Sequence, residues 1–428
     1  MKKRMLLATF ASALGMLASP LTARATAEKT SPSVDATVLP TVERALSQAD
    51  VPVLARMYQT STDPVIRVLA AMALERIHFN LEKSSEDARI CERSLVDSKP
   101  GIAFFCARFA NGNLRLSGAV RQADADELDI ARRFAGKVPE AELGHLRSYA
   151  AEHAGVPDMQ VIKPSTPFSI PVERSLASGR VPRVEIESHG RKAWLVVDTG
   201  SSRLTLDQDT AHDLGVHLLN RSGKTSGLLS SDIPVSYGML DEIRIGAVTM
   251  RNVPVAVLSG TKRLIGIDIL RQLGAFRLSE KAITVGTIDA AGGSCKEPML
   301  IASDVWGNGL HVVAALSIDG QQRTTLLDSG SGAWLSGDQS TFDQLHTRGA
   351  ARMTIRDMGP HQHAARVSQA TADIDISGQP FTISFEVFKD ASLPWHYILG
   401  SSALQYMDFY FDFDTRHTCL LLHDNLRR

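Results

Sequence analysis

Two carboxylates in matching surroundings are the groups of this chain best placed to do chemistry. The apolar run Trp194-Leu195-Val196-Val197 leads into Asp198-Thr199-Gly200-Ser201-Ser202, and Leu326-Leu327 leads into Asp328-Ser329-Gly330-Ser331-Gly332. An apolar strand entering Asp-Thr/Ser-Gly-Ser sets a carboxylate on a tight turn, because glycine lets the backbone reverse without a Cβ clash. The hydroxyls of Ser201 and Ser331 can then hydrogen-bond the carboxylates and fix their orientation. A two-fold relation between the copies would bring Asp198 and Asp328 face to face. Two carboxyl groups that close share a proton and titrate as a pair. One can act as general base toward water, the other as general acid toward a carbonyl or a leaving amine.

The elements that must position these groups also occur twice within residues 172–428. Gly190 precedes Asp198 by eight residues, and Gly320 precedes Asp328 by eight, so each carboxylate follows a hairpin turn by one strand. Downstream, Ile243-Arg244-Ile245-Gly246 answers Ile374-Asp375-Ile376-Ser377-Gly378, and Leu264-Ile265-Gly266 answers Ile398-Leu399-Gly400. The intervals from Asp to the last glycine are 68 and 72 residues. A single Asp-Thr-Gly is common by chance. Two copies in register, each with its partner motif, imply two units that fold alike.

On these motifs the chain resembles the aspartic peptidases of the pepsin and retroviral-protease clan, over about residues 172–428. The resemblance implies a mostly β, bilobal fold of two pseudo-symmetric, β-barrel-like lobes at 171–290 and 291–428, of the fused retropepsin-like kind that bacteria carry. It implies that Asp198 and Asp328 hold the nucleophilic water, and that Thr199 and Ser329 each grip the other lobe's turn through their hydroxyls. Gly200 and Gly330 complete the turns, and Ser201 and Ser331 would bond the outer carboxylate oxygens. Gly266 and Gly400 match the glycines where a chain crosses beneath each turn. Both lobes in one chain imply a monomer acting on polypeptide, with neither metal nor organic cofactor. The polar stretch Gly223 to Ser231 suits a mobile lid, whereas Tyr237-Gly238 lies close enough to Gly246 to suit a returning strand.

Ahead of the repeat the apolar period is helical. Val65, Val68, Leu69, Met72 and Ala73 form one stripe, with Asp63 as N-cap and Pro64 as first helical residue. Ile102, Phe105, Cys106 and Phe109 form a second, with Gly112 expected to end it. Leu143, Leu146 and Ala150 form a third. The expectation is an all-α, solenoid-like domain over 28–155, joined by a Pro-rich linker over 156–170. Its role is open between docking a partner, packing on its neighbour and serving as a pro-segment. At the start, Lys2, Lys3 and Arg4 precede the apolar run Met5 to Ala18, and Ala25-Thr26-Ala27 follows. That pattern is a secretory signal over 1–27, too short to span a bilayer stably. It implies export to the periplasm, with direct secretion as the other destination and no membrane insertion after cleavage.

The whole chain has 428 residues with 46 Lys+Arg against 47 Asp+Glu, so it lacks the basic field that nucleic acid requires. Four cysteines in an oxidising compartment permit Cys91–Cys106 with Cys295–Cys419, one of three connectivities, while a free buried thiol at Cys106 is the rival. His361 and His363 read as an exposed loop rather than metal ligands. Trp194, Trp334 and Trp395 are expected in the core, and Asp268 as a helix cap. The function expected is an exported aspartic endopeptidase. The alternative is a non-catalytic peptide-binding protein that uses the same bilobal fold beside a helical docking domain.

Overall fold

A computed structural model describes residues 34–424, apart from 154–155, 166, 175–180, 228, 261, 287–294, 345–346, 360–361, 377, 390–392 and 394. The expected signal segment and His361 therefore lie outside the described residues. The chain is mostly β, with a helical region at its N-terminal side.

The helices run from Val34–Gln48 to Glu140–His153. Asp63 caps the helix Pro64–Ile77 by accepting the Val65 N–H at 2.8 Å. The helix that starts at Pro100 does not stop at Gly112. It continues to Ser117 and ends at Gly118, whose φ of 91° is the left-handed cap conformation. Gly112 serves close approach instead, since a Cβ there would lie 2.3 Å from the Val305 carbonyl oxygen. The helix backbone thus touches the 304–307 loop, and that contact offsets the roughly 0.5–1 kcal/mol that glycine costs inside a helix.

The repeat gives the same strand circuit twice. In the first half, pairings run from Arg183–Ser188 through Arg191–Val197, Leu264–Ile265, Thr205–Asp207, Val248–Leu258 and Ile233–Ile245, then back to Arg183–Ser188. In the second, they run from His311–Ile318 through Gln321–Asp328, Tyr397–Gly400, Leu335–Gly337, Gln379–Phe388 and Gln362–Ile376, then back to His311–Ile318. Parallel and antiparallel pairings occur at the same steps in both. Each circuit opens with a two-residue hairpin turn, His189-Gly190 or Asp319-Gly320, in which both residues have positive φ.

A third sheet joins the halves. Phe168–Pro171, Ala282–Val285 and Ala275–Leu278 continue into Met407–Asp412 and His417–Leu422 from the far end of the chain. Segment 156–170, expected as a linker, supplies Phe168–Pro171 to this sheet through three of its residues and Gln160–Ile162 to the first eight-stranded sheet. Both are edge strands, where a proline's missing donor is tolerated, and both are too short to show a period in sequence.

The helical region shares its core with the second half. Leu46, Leu69 and Phe109 fall in one buried cluster with Val313, Leu326 and Ile398. Arg76 is fully buried in the same region. Its guanidinium donates to Asn113 Oδ1 at 2.7 Å and to the Asp304 and Val305 carbonyls at 2.8 and 3.2 Å, and lies 3.5 Å over the Phe109 ring. Burial pulls its pKa down to about 9, so it enters this carbonyl cage charged at neutral pH. Both disulfides are formed, Cys91–Cys106 and Cys295–Cys419, and Cys106 is not a free thiol. Trp395 is buried and Trp334 packs against the core, but Trp194 is 36% exposed because it falls on the outer phase of its strand. No described helix is long and apolar enough to cross a membrane.

Candidate active site

Asp198 and Asp328 each stand immediately after or at the end of the second strand of their hairpin. Each is backed by a parallel neighbour that ends in the partner motif: Val197 pairs with Ile265, and Asp328 with Gly400. Within each turn the backbone curls around its own carboxylate. Asp198 Oδ1 accepts the N–H groups of Gly200 and Ser201 at 3.0 and 2.9 Å. Asp328 Oδ1 accepts those of Gly330 and Ser331 at 2.9 and 3.1 Å. Backbone donors fix the carboxylates where serine hydroxyls were expected. The Ser201 hydroxyl donates instead to the Arg203 carbonyl at 3.1 Å, which stiffens the exit from the turn.

The turns lock to each other reciprocally. Thr199 Oγ1 donates to the Leu327 carbonyl at 2.7 Å and accepts the Ser329 N–H at 3.0 Å. Ser329 Oγ donates to the Val197 carbonyl at 2.6 Å and accepts the Thr199 N–H at 3.1 Å. Both side chains are fully buried, so all four bonds are shielded from water. The glycines permit this approach. A Cβ on Gly200 would lie 2.5 Å from Asp328 Cγ, and one on Gly330 would lie 2.4 Å from Asp198 Cγ. Beneath the turns, Ile267 N–H donates to the Ser201 carbonyl and Ser401 N–H to the Ser331 carbonyl, both at 2.8 Å. Gly266 and Gly400 precede these donors, where any Cβ would strike Arg203 or Ala333 backbone.

The carboxyl groups of Asp198 and Asp328 face each other, each lying against the glycine of the other turn and close enough to shift the other's titration. Burial pushes both pKa values up, and the neighbouring charge of Asp328 pushes Asp198 well above the ordinary carboxylate range. Burial raises Asp328 too, while its neighbour Asp198, its two backbone donors and the Lys262 charge act to hold it back. Both carboxyl groups are thus held above the ordinary range, and the pair titrates as one unit that shares a proton. His311 meets the Trp395 ring edge-on at 4.8 Å, with the backbone of Gly200 close by. Burial lowers its pKa to about 4, so it backs the turn as a neutral ring.

The two long hairpins meet at their tips. The first, His217–Thr225 with Ile233–Ile245, contains Tyr237 in the returning strand as expected. Its tip is held by Asp357 at the tip of the equivalent hairpin of the second half, Thr347–Arg356 with Gln362–Ile376. Asp357 accepts the N–H groups of Leu229 and Ser230 at 2.8 and 2.7 Å and the Ser230 hydroxyl at 2.8 Å. His363 lies in a strand rather than an exposed loop, with its Nε2 2.7 Å from Ser230 Oγ. Met358 packs against the Ile233, Val235, Ala256 and Leu258 cluster of the first half. The stretch expected as a free lid is thus pinned across the halves. Asp268 bonds the Ile269 and Leu204 N–H groups at 2.8 and 3.0 Å, tying the exit of the first turn to the short helix behind it.

His311, Lys262 and Asp357 carried no sequence signal, since each acts on a partner distant in the chain. No curated protein matches the chain. Residues 183–270, which hold Asp198 and Gly266 but not Asp328, match the family model of an aspartyl protease, which supports an aspartic peptidase family for this protein.

Proposed function

We propose that this protein is an exported, monomeric aspartic endopeptidase whose two strand circuits are barrel-like, retropepsin-type lobes of one chain. The observation that carries the reading is the reciprocal Thr199–Ser329 lock, which holds two carboxyl groups in contact while they share one proton. In the reaction, the Asp328 carboxylate takes a proton from a water as its oxygen bonds the peptide carbonyl carbon. Asp198 gives its proton to the carbonyl oxygen, and a tetrahedral diol results. The C–N bond then breaks as Asp328 gives its proton to the leaving nitrogen and Asp198 takes one from a diol hydroxyl, whose oxygen becomes the new carbonyl, and the pair is restored. Polypeptide enters between the halves, beneath the pinned hairpin tips, so the Asp357–Ser230 contact opens or shifts during turnover. The shared core and the Arg76 cage support a helical region that stays with the enzyme rather than a released pro-segment.

The test is digestion of a peptide library from acid to neutral pH, beside Asp198→Asn and Asp328→Asn proteins, with cuts read by mass spectrometry. Cuts that vanish in both variants support the reading. Folded protein that binds peptides and cuts none at any pH replaces it with the peptide-binding alternative.

A further inference from the structure

The repeat contains a second pair of matched carboxylates, set behind the turns. Asp207-Gln208-Asp209-Thr210 and Asp338-Gln339-Ser340-Thr341 share the pattern Asp-Gln-x-Thr. Each Asp stands where a short strand, Thr205–Asp207 or Leu335–Gly337, passes into a short helix, Gln208–Asp213 or Gln339–Gln344. Each is buried and accepts the N–H of its Thr, at 2.7 Å from Thr210 and 3.1 Å from Thr341. Each also meets a basic side chain from the residue just before the strand that runs beside its carboxylate turn. That residue is Arg263, ahead of Leu264–Ile265, in the first half and His396, ahead of Tyr397–Gly400, in the second.

The two basic groups differ in kind. Arg263 Nε donates to Asp207 Oδ2 at 2.6 Å, and a guanidinium keeps its charge throughout the working pH range. His396 Nδ1 lies 3.2 Å from Asp338 Oδ2 and 2.9 Å from Ser340 Oγ, and that hydroxyl donates to Asp338 Oδ1 at 2.6 Å. An imidazole is charged only below its own titration. The other charged groups acting on His396 are Asp50, from the helical region, and Arg323, from the strand that leads to Asp328. The hydrogen bond to Asp338 raises the His396 pKa above its ordinary value, against partial burial and the Arg323 charge. Burial would lift Asp338, but the bonds from His396, Ser340 and Thr341 outweigh it and hold its carboxyl below the ordinary range. The charged pair thus exists above the lowered Asp338 value and is lost as the pH rises through the raised His396 value. The His396 carbonyl also accepts the Asp338 N–H at 3.2 Å and the Thr341 hydroxyl at 3.0 Å. These contacts tie the helix to the strand that pairs with Thr325 to Asp328.

We propose that these groups form a clamp that responds to pH in the second half alone. Loss of the His396 proton loosens the helix Gln339–Gln344 from the strand beside Asp328, while Arg263 keeps the matching helix of the first half closed. The clamp acts on the support of one turn and not on the carboxyl pair, so it stands whether or not that pair cleaves peptide.

Amide exchange of the full chain at about pH 5.5 and about pH 8.5, on either side of the imidazole titration, tests this. Read as protection factors, Thr341 is the reporter and Thr210 its internal control. The His396 side chain is 54% exposed, and ion pairs that open to solvent are weak. Protection at Thr341 should therefore fall on the order of two- to five-fold at the higher pH, with Thr210 unchanged. His396→Gln should show the lower protection at both pH values, and His396→Arg the higher. A Thr341 protection that does not change, or that falls equally at Thr210, overturns the clamp. A fall that persists undiminished in His396→Arg also overturns it, because another group must then be titrating.

Discussion

The two Asp-bearing turns are nearly the same piece of backbone in unequal surroundings. Each Asp is held by the N–H groups of the next glycine and serine, and each turn grips the other through one buried hydroxyl. The surroundings differ. Burial and the charge of its partner push Asp198 well up, whereas Asp328, also raised by burial, has the Lys262 charge nearby to hold it back. Behind the turns, the first half has Asp268 accepting the Leu204 N–H, where the second has Ser402 donating to the Gly332 carbonyl. Local repetition builds the pair, and the less repetitive surroundings act unequally on its two members.

Removing either carboxylate has the largest expected effect. Asp198→Asn and Asp328→Asn should each lower kcat by at least roughly 10²–10⁴-fold, with folded protein and peptide affinity retained. A variant that keeps substantial turnover would show that one turn alone suffices, contrary to the shared-proton scheme.

The lock comes next. Thr199→Val leaves the Ser329 N–H and the Leu327 carbonyl buried without their partner, and Ser329→Ala does the same to Thr199 N–H and the Val197 carbonyl. Each should cost about 1–3 kcal/mol in denaturant unfolding, because buried donors and acceptors left unpaired lose their full solvation. The double variant should fall short of the sum, since both hydroxyls serve one interface. Strict additivity would mean the turns are independently stable.

A smaller change tests the asymmetry. The positive charge of Lys262 lowers the Asp328 pKa, so Lys262→Met should raise it and move the acid limb of the kcat/KM profile to higher pH. The enzyme then loses activity sooner as the pH falls. An unmoved acid limb would place the base elsewhere.

The hairpin tips should give the weakest effect. Asp357→Asn keeps the shape but weakens three donor bonds from the first half, and should speed amide exchange at Leu229 and Ser230 by several-fold, on the scale of about 1 kcal/mol. Unchanged exchange would mean that Met358 packing alone holds the tips.

What was legible in the sequence shares one property: it is local. An apolar strand, a hairpin glycine and Asp-Thr/Ser-Gly-Ser each encode their own shape within a few residues, and doubling made the pattern stand out. Asp63 with Pro64 announced a helix start for the same reason. The misread features depend on partners far along the chain. Gly112 has the type of a helix end, yet it lies within a helix because the 304–307 loop presses on it. Ser201 was expected on a carboxylate, but backbone donors already satisfy that oxygen. Segment 156–170 looked like a linker because strands of three and four residues leave no period.

By itself the sequence determined that two like units exist, that each ends a strand in a carboxylate turn, and that helices precede them, since apolar periodicity and turn chemistry act over short range. Tertiary structure alone decided that the two turns have unequal surroundings, that hairpin tips from opposite halves are tied by Asp357, and that helices wall a cavity beside the first turn. Those outcomes depend on burial and on groups brought together from far along the chain, as Leu229 and Asp357 are at a separation of 128, and no local pattern records such a meeting.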